Sequence, residues 1–580
     1  MGRELVVSVV PDVTAITKEF DYVVPPEMRD HVRVGTMVRI SLAGRRVGAW
    51  VTALNVEPPS AVALRPIAKV TGWGPSADVV ELARWAAWRW CGRLPSLLGT
   101  ASPPGAVVAL PPVPGGRPPM SGPVSELAAA ALAQPCAVLR LPPTEDPLAV
   151  VMAAMALGDA LVVAPSVSMA RLLAARLKRS GAAVALHPSQ WVVAAAGGCT
   201  VVGARAAAWA PCPSMAAVVV LDEHDEALQE ERSPTWNARE VAIERARRAG
   251  VPCLLVSPCP SLEALAAGPL VTASRNEERA AWPILDVVDR SRETGTAAVG
   301  PVSERLARLL RTDGRVACVL NRTGRAVLLA CTVCQHLATC ERCGAAVAQD
   351  GEGMLHCRRC GLMRPVVCTS CGSTRLRARK PGIERVAADL RAMLQEPVAV
   401  LTAGTSEAPV PPERVVVGTE AVLHQLPDAR VVAFLDFDAE LLAPRYRANE
   451  QALALLARAA RLVGRRADGG RVVVQTRNGR HDVLDAVLNA DPGRLVAGER
   501  ARRAELSFPP LSALAVVSGA AAAEFAKSLL VGVPAGVDVL GPSDGTWLLR
   551  APSHRVLCDA LAATPRPAGR LRIEVDPLRL

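Results

Sequence analysis

Two stretches of this 580-residue chain carry residue types and spacings that do chemistry. The first is VVVLDEHD, Val218 to Asp225, in which four apolar residues run into Asp222-Glu223-His224-Asp225. A buried strand ending in paired carboxylates can hold a magnesium ion and a water beside a nucleotide. Such a strand needs a glycine-rich loop with a lysine to grip the phosphates. The second stretch holds four C-x-x-C pairs: Cys331/Cys334, Cys340/Cys343, Cys357/Cys360 and Cys368/Cys371. A C-x-x-C turn puts two thiolates on one side of a metal, and two such turns complete a tetrahedron. Four pairs therefore predict two four-cysteine zinc sites. With every vertex a cysteine, no position stays open for a catalytic water, so both ions are structural and a zinc hydrolase is disfavoured. Spacing alone leaves open which pairs share an ion.

The acidic strand lies where short apolar runs (DALVVAP, CTVVGA, AAVVVLD, PCLLVSP) alternate with helical patterns such as MARLLAARLKRSG. The same alternation resumes after Gly382 in VAADLRAML, ERVVVGT, RVVAFLDFD and RVVVQT. Apolar strands alternating with helices predict parallel α/β sheets. Ahead of them, residues 4–72 alternate like β-strands and are followed by one helical stretch. The expected order is a β-rich domain over 1–103, a proline-rich linker over 104–124 and an α/β lobe over 125–275. A second α/β lobe over 276–506 carries the cysteine insertion at 328–375, and a small α+β domain occupies 507–580.

The formal charge is +11, from 66 basic and 55 acidic residues. Lysine occurs only at Lys18, Lys69, Lys178, Lys380 and Lys527; arginine supplies the rest. This balance allows a nucleic-acid partner and equally a plain solvated surface. Arg342, Arg358, Arg359, Arg364, Arg375, Arg377, Arg379 and Lys380 surround the cysteine pairs as a docking surface or a solvated face. The remaining eight cysteines are scattered and read as small buried apolar residues. No apolar run of about 18 residues predicts a membrane span. The start, MGRELVVSVVPD, has no signal-peptide core, so a cytoplasmic protein is expected.

Domain order and several segments resemble the bacterial primosomal PriA family, the superfamily 2 helicase-like replication-restart proteins. The segments include FDYVVP, GARAAAWAP, WNAREVAIERA, VSPCPSLEAL, LNRTGRAVLLACTVC, LDFDAELLAPRYRANEQ and ERARRAELSFPPLSALAVV. The resemblance implies that Cys331, Cys334, Cys368 and Cys371 share one zinc, and Cys340, Cys343, Cys357 and Cys360 the other. It implies a 3′ DNA-end pocket from Phe20, Asp21, Tyr22 and Arg65. A ring there stacks on a terminal base and a carboxylate accepts from a 3′ hydroxyl. Without the resemblance, Phe20 and Tyr22 are alternate residues of a strand, one of them simply core. The implied partners are fork-structured and single-stranded DNA, primosome proteins and single-strand-binding proteins, with no membrane.

The departures from the family concern its motor. Where the family has a P-loop, this chain reads PPTEDPL, Pro142 to Leu148, without glycine or lysine. None of the five lysines ends a G-x-x-x-x-G-K pattern. DEHD has one glutamate fewer than the family's Asp-Glu-Glu-His, and GTEAVLHQLP lacks its internal Lys-Gly. Arg461 stands where the family's arginine motif has glutamine, and Asp468 where it has its last arginine, leaving Gly464-Arg465. The family's winged-helix segment has no counterpart. Asp222, Glu223, His224 and Arg465 thus read as a degenerate nucleotide site, and no residue is assigned a catalytic role. The acidic tip is expected to hold its lobe's fold with solvated or hydrogen-bonded carboxylates and weak magnesium affinity. Two structural zinc ions are the expected cofactors, and nothing visible holds the phosphates of ATP. The expected function is replication restart at arrested forks and DNA 3′ ends without helicase activity. The alternatives are an active ATP-dependent 3′-5′ helicase with an atypical nucleotide site, and a zinc-stabilised protein-interaction scaffold.

Overall fold

The computed structural model describes residues 4–579 apart from 14–15, 17, 58–62, 114–121, 292, 294–299, 322–327, 350–352, 379–381, 403–408 and 533–535. Much of the proline-rich linker, part of LNRTGRAVLL, and Arg379 with Lys380 thus lie outside the described residues.

The N-terminal sheet is antiparallel, in the order Phe20–Val24, Leu5–Pro11, Arg45–Leu54, Met37–Leu42, Lys69–Gly72. Strand alternation sends Val7, Val9, Tyr22, Val24, Val38, Ile40 and Val51 to one face, where they form a core. On the other face Val10 and Trp50 pack beneath the helices Ala77–Arg89 and Leu94–Ala101. The Trp50 indole N–H donates to Ser102 Oγ at 2.8 Å.

The first lobe is a seven-stranded parallel sheet. Its central strand Met215–Leu221, which carries VVVL, lies between Cys253–Ser257 and Asp159–Val163. Strands covered on both faces read as continuous apolar runs, and this strand is buried from Ala217 to Leu221. The second lobe is a six-stranded parallel sheet in the order Ile284–Asp289, Arg471–Thr476, Val431–Phe434, Val316–Val319, Val415–Gly418, Val398–Leu401. Its long helix Ala448–Val463 has an apolar face in the core and a polar stripe toward the first lobe. In such sheets ligands gather where the strands' carboxyl ends meet. Asp222 follows the carboxyl end of the central strand, Ser257 ends its neighbour Cys253–Ser257, and Arg140 ends Cys136–Arg140, one strand further out.

The C-terminal segment runs strand–helix–strand–strand–helix–strand from Ala513 to Val575 with antiparallel pairing, a ferredoxin-like arrangement. A buried charge cluster ties it to the rest. Arg89, at the end of an N-terminal helix, donates to Asp576 of the tail and Glu240 of the first lobe, both at 2.7 Å. Among the described residues no helix is long and apolar enough to cross a membrane. Of the scattered cysteines, Cys91, Cys199, Cys212, Cys253, Cys259, Cys318 and Cys558 are buried and Cys136 is half-buried.

Gly418 closes a strand of the second lobe where any side chain would collide: an added Cβ would lie 1.9 Å from the Leu401 carbonyl oxygen. Gly418→Ala is expected to destabilise this lobe by about 1–3 kcal/mol through overpacking, read as a lower denaturation midpoint.

Candidate functional site

In the first lobe the turn Pro142 to Leu148 joins the strand Cys136–Arg140 to a helix. A helix N-terminus attracts anions through its free N–H groups and its dipole. Here the helix Leu148–Leu157 begins with its own anion, because Asp146 accepts from the Leu148 N–H at 3.0 Å. Asp146 in turn pairs with Arg176. The rest of the turn reaches across to the second lobe. Pro143 C=O accepts from Arg461 Nε at 3.2 Å, and Glu145 pairs with Arg465 at 2.8 Å. Thr144 Oγ1 donates to the Ala281 carbonyl at 2.7 Å.

Every acid of Asp222-Glu223-His224-Asp225 has a protein partner. Asp222 sits at φ +47°, in the left-handed region that Asp tolerates better than most residues, so its side chain points into the cleft. Arg461 holds it through two bonds of 2.7 and 2.8 Å. Burial raises the Asp222 pKa, and the Arg461 guanidinium more than reverses this, so the carboxyl titrates below its usual range. The Asp222 side chain is 9% exposed and that of Arg461 42%, so water reaches the pair from the arginine's side. Glu223 is fully buried and accepts from the Ser261 N–H and hydroxyl, each at 2.8 Å, and from Arg239 at 3.0 Å. Both of its oxygens are thus engaged by protein donors. His224 Nδ1 lies 2.8 Å from Ser257 Oγ; burial lowers its pKa while the flanking acids oppose that shift. Asp225 pairs with Arg458, which also holds Glu420 at 2.9 Å, and Glu226 accepts from Gln451.

Gln451, Arg458 and Arg461 lie on one stripe of the helix Ala448–Val463, at spacings of seven and three. Of the two expected states of the strand tip, solvated or hydrogen-bonded carboxylates, the structure has the second: Asp222 and Asp225 are bonded to arginines across the lobe interface. Arg461 is the cation that pairs with Asp222 from the facing lobe. Arg465 is diverted to Glu145. What remains between the lobes is a cavity of about 80 Å³ lined by His224, Arg239, Arg447, Glu450 and Arg458. Ligand pockets run to roughly 300–1,000 Å³. The sequence signal for this joint is reciprocal. Acids stand where the phosphate loop needs a cation, and arginines stand opposite them.

The cysteines gather into two groups, Cys331/Cys334/Cys368/Cys371 and Cys340/Cys343/Cys357/Cys360. Neighbouring sulfurs lie 3.5 and 3.6 Å apart in the first group and 3.5 and 3.4 Å in the second. Sulfurs placed tetrahedrally about 2.3 Å from a zinc ion are about 3.8 Å apart, so both donor sets fit that ion. The backbone builds one knuckle four times. In each, the residue after the second cysteine takes a positive φ and donates its N–H to the first cysteine's carbonyl, at 2.9–3.0 Å. Gly344, Gly361 and Gly372 fill this position in three knuckles and Gln335 in the fourth, at φ +60°. A left-handed non-glycine residue costs about 1–2 kcal/mol, which metal ligation has to offset. Of the surrounding arginines, Arg359 is buried and donates to the Cys343 and Ala443 carbonyls, and Arg364 donates to those of Thr339 and Val367. Arg342, Arg358, Arg375 and Arg377 are exposed.

Phe20, Asp21 and Tyr22 lie on the edge strand of the N-terminal sheet. Tyr22 is 5% exposed and packs in the core, its hydroxyl donating to the Ser41 carbonyl at 2.8 Å, so it is the core member of the pair. Phe20 is half-buried on the same face, with Lys18 Nζ 5.9 Å from its ring centroid. Asp21 points to the opposite face, where Oδ1 accepts from Ser8 Oγ and Oδ2 has no partner among the described residues. Arg65 is exposed, and its segment pairs with the same strand, since Val23 N–H donates to the Arg65 carbonyl at 3.1 Å. The four residues thus cluster around one sheet edge without sharing one face.

A family profile described as 3′DNA-binding domain (3′BD) matches residues 8–103. Replication restart protein PriA of Treponema pallidum is 29% identical over 428 residues, 66% of this chain and 65% of that protein. The Bacillus subtilis PriA is 26% identical over 59% of this chain and 47% of its own length. The probable PriA of Mycobacterium leprae is 28% identical over 97% of this chain and 93% of that protein. The chain is similar to PriA proteins over most of its length and carries the match to their 3′DNA-binding domain at its N-terminal end. It spans less than two thirds of the Treponema and Bacillus relatives. Among solved structures, the Escherichia coli DExH-box NTPase HrpB aligns at TM-score 0.31 and 14% identity, covering 61% of this chain and 42% of that one. Yeast Dbp5 bound to RNA and ADP BeF3 aligns at TM-score 0.33 and 11% identity, covering 66% and 94%. Likeness at this level adds nothing to the functional reading.

Two outcomes follow. Arg461→Ala is expected to weaken the interlobe joint by about 1–3 kcal/mol, because Asp222 is left buried without its partner. Combining it with Asp222→Asn should cost less than the sum of the two. The folded Asp222 pKa is depressed, so this stabilisation is present above the usual carboxylate value of about 3.9 and is lost as pH falls below it. Denaturation midpoints of Arg461→Ala and the parent should therefore converge under acid conditions. Metal analysis of the purified protein should find zinc at both cysteine groups, with Cys360→Ser and Cys371→Ser each losing one ion.

Proposed function

We propose that this chain is a replication-restart protein that binds DNA 3′ ends and arrested forks and supports reassembly of the replication machinery without hydrolysing ATP. The observation that carries the second half is the bidentate Arg461–Asp222 pair across the cleft. A motor of this class needs a metal at the acidic tip, a loop around the phosphates and lobes that move with the nucleotide. In this chain the tip holds a guanidinium, the loop holds Glu145 and Asp146, and the lobes are pinned by ion pairs.

The match of residues 8–103 to a 3′DNA-binding domain supports the first half. Asp21 is the acceptor for a terminal 3′ hydroxyl, through its unpartnered oxygen. Phe20 is the ring that meets the terminal base, and Arg65 the cation for a nearby phosphate. Two structural zinc ions hold the cysteine insertion. The partners are fork and single-stranded DNA with proteins of the primosome, which puts the work in the cytoplasm at the nucleoid.

Fork binding and ATP turnover test both halves. The chain is expected to bind a fork with a free 3′ leading-strand end more tightly than one blocked by a 3′ phosphate. Asp21→Ala should remove that preference. DNA should elicit no ATP hydrolysis, and ATP with magnesium should leave the denaturation midpoint unmoved. Turnover abolished by Asp222→Asn would overturn the ATP-independent reading. Absence of fork binding at low salt would favour a protein scaffold.

A further inference from the structure

We propose that an arginine-bearing β-hairpin of the N-terminal domain grips the phosphate backbone of double-stranded DNA at a surface separate from the Asp21 corner. The inference rests on the DNA-binding reading above and adds a second point of attachment to it.

The hairpin joins Met37–Leu42 to Arg45–Leu54 through a turn at Ala43 and Gly44. Both turn residues have positive φ, 47° and 80°, the two-residue geometry that matches strand twist. Register decides which side chains share a face. Arg39 lies opposite Lys69 on one neighbour and Gly48 on the other, and Ser41 lies opposite Arg46. Directly opposed residues project to the same side, and positions two apart on a strand do so too. Arg39, Arg46 and Lys69 therefore stand on one face, and all three are exposed. Val38 and Ile40 point the other way, into the core. Toward the far end of the cationic face Trp50 and Val10 are buried under helices, so the cations occupy its uncovered end. Arg45, beside the turn, is also exposed.

None of these four cations has an ion pair among the described residues. One acid, Asp12, lies over Gly48 between them, its Cβ 3.6 Å and Oδ2 3.8 Å from where a Gly48 side chain would begin, so the face keeps a net positive charge. A charge on an edge strand protects against aggregation, which accounts for Lys69. It does not account for Arg39 and Arg46, which sit on interior strands.

The chemistry selects a duplex. Single strands are held by aromatic platforms on which bases stack. The tryptophan on this face, Trp50, is 2% exposed and offers none. Cations without a stacking ring read phosphates, and in a duplex the phosphates face outward while the bases are enclosed. Asp21 lies on the opposite edge strand, with the roofing helices between, so the hairpin meets a different part of the fork.

The test uses the full chain and a fork with double-stranded arms, titrated across a salt series. In Arg39→Gln/Arg46→Gln/Lys69→Gln the slope of log affinity against log salt should flatten by about 0.9 for each phosphate that is no longer neutralised. Preference for a free over a blocked 3′ end should persist. Asp21→Ala should show the converse, a lost preference with an unchanged slope. An unaltered slope in the triple variant would overturn the hairpin proposal while leaving 3′-end recognition standing. Should the triple variant lower the denaturation midpoint, Lys69→Glu alone is measured, and an unaltered slope there equally counts against it. Equal weakening on single-stranded and duplex DNA would also overturn the duplex assignment.

Discussion

A carboxylate buried at the tip of a parallel strand must have a positive partner, and the arrangement of this molecule follows from where Asp222 finds one. In a nucleotide motor that charge arrives with the metal and leaves with the product. Here it is Arg461, covalently part of the facing lobe. Once that guanidinium is in place, the turn at Pro142 to Leu148 has no anion to wrap. It closes instead on the second lobe through Pro143, Thr144 and Glu145. Arg458 and Gln451 extend the joint along the same helix. The cleft has become a seam.

A seam changes what the lobes can do. Motor lobes work by separating and closing around a ligand, which requires an interface poised between two arrangements. Beyond the Asp222 joint, Glu450 of the second lobe accepts from the Leu262 N–H at the start of a first-lobe helix. Arg503 is fully buried among Glu263, Glu450 and Glu499. Groups of this kind are expensive to expose singly, since each leaves an unpaired charge behind. With Arg89 linking the N-terminal helix, the first lobe and the tail, the domains are joined by buried charge as well as apolar packing.

Local patterns were legible where a short-range rule applies. Four C-x-x-C pairs announce two tetrahedral donor sets, because ligand geometry depends on turns of four residues. Continuous apolar runs announce doubly covered parallel strands, and VVVL proved to be one. The missing phosphate loop was visible because glycine and lysine are required by type. The choice between ring and core at Phe20 and Tyr22 was not visible, since both share a strand face and only the packed sheet places Tyr22 beside the Ser41 carbonyl.

The sequence by itself determined the composition of the cleft: acids at 145, 146, 222 and 225, arginines at 458, 461 and 465, and no phosphate-binding lysine. Only the tertiary structure decided that these charges meet. Asp222 and Arg461 are separated by 239 positions, and no periodicity or spacing rule spans that distance. Their pairing exists because two parallel sheets, each stable through its own core, present the carboxyl end of one strand to one stripe of one helix. Coulomb attraction acts over a few ångströms, and folding alone brings the charges within that range.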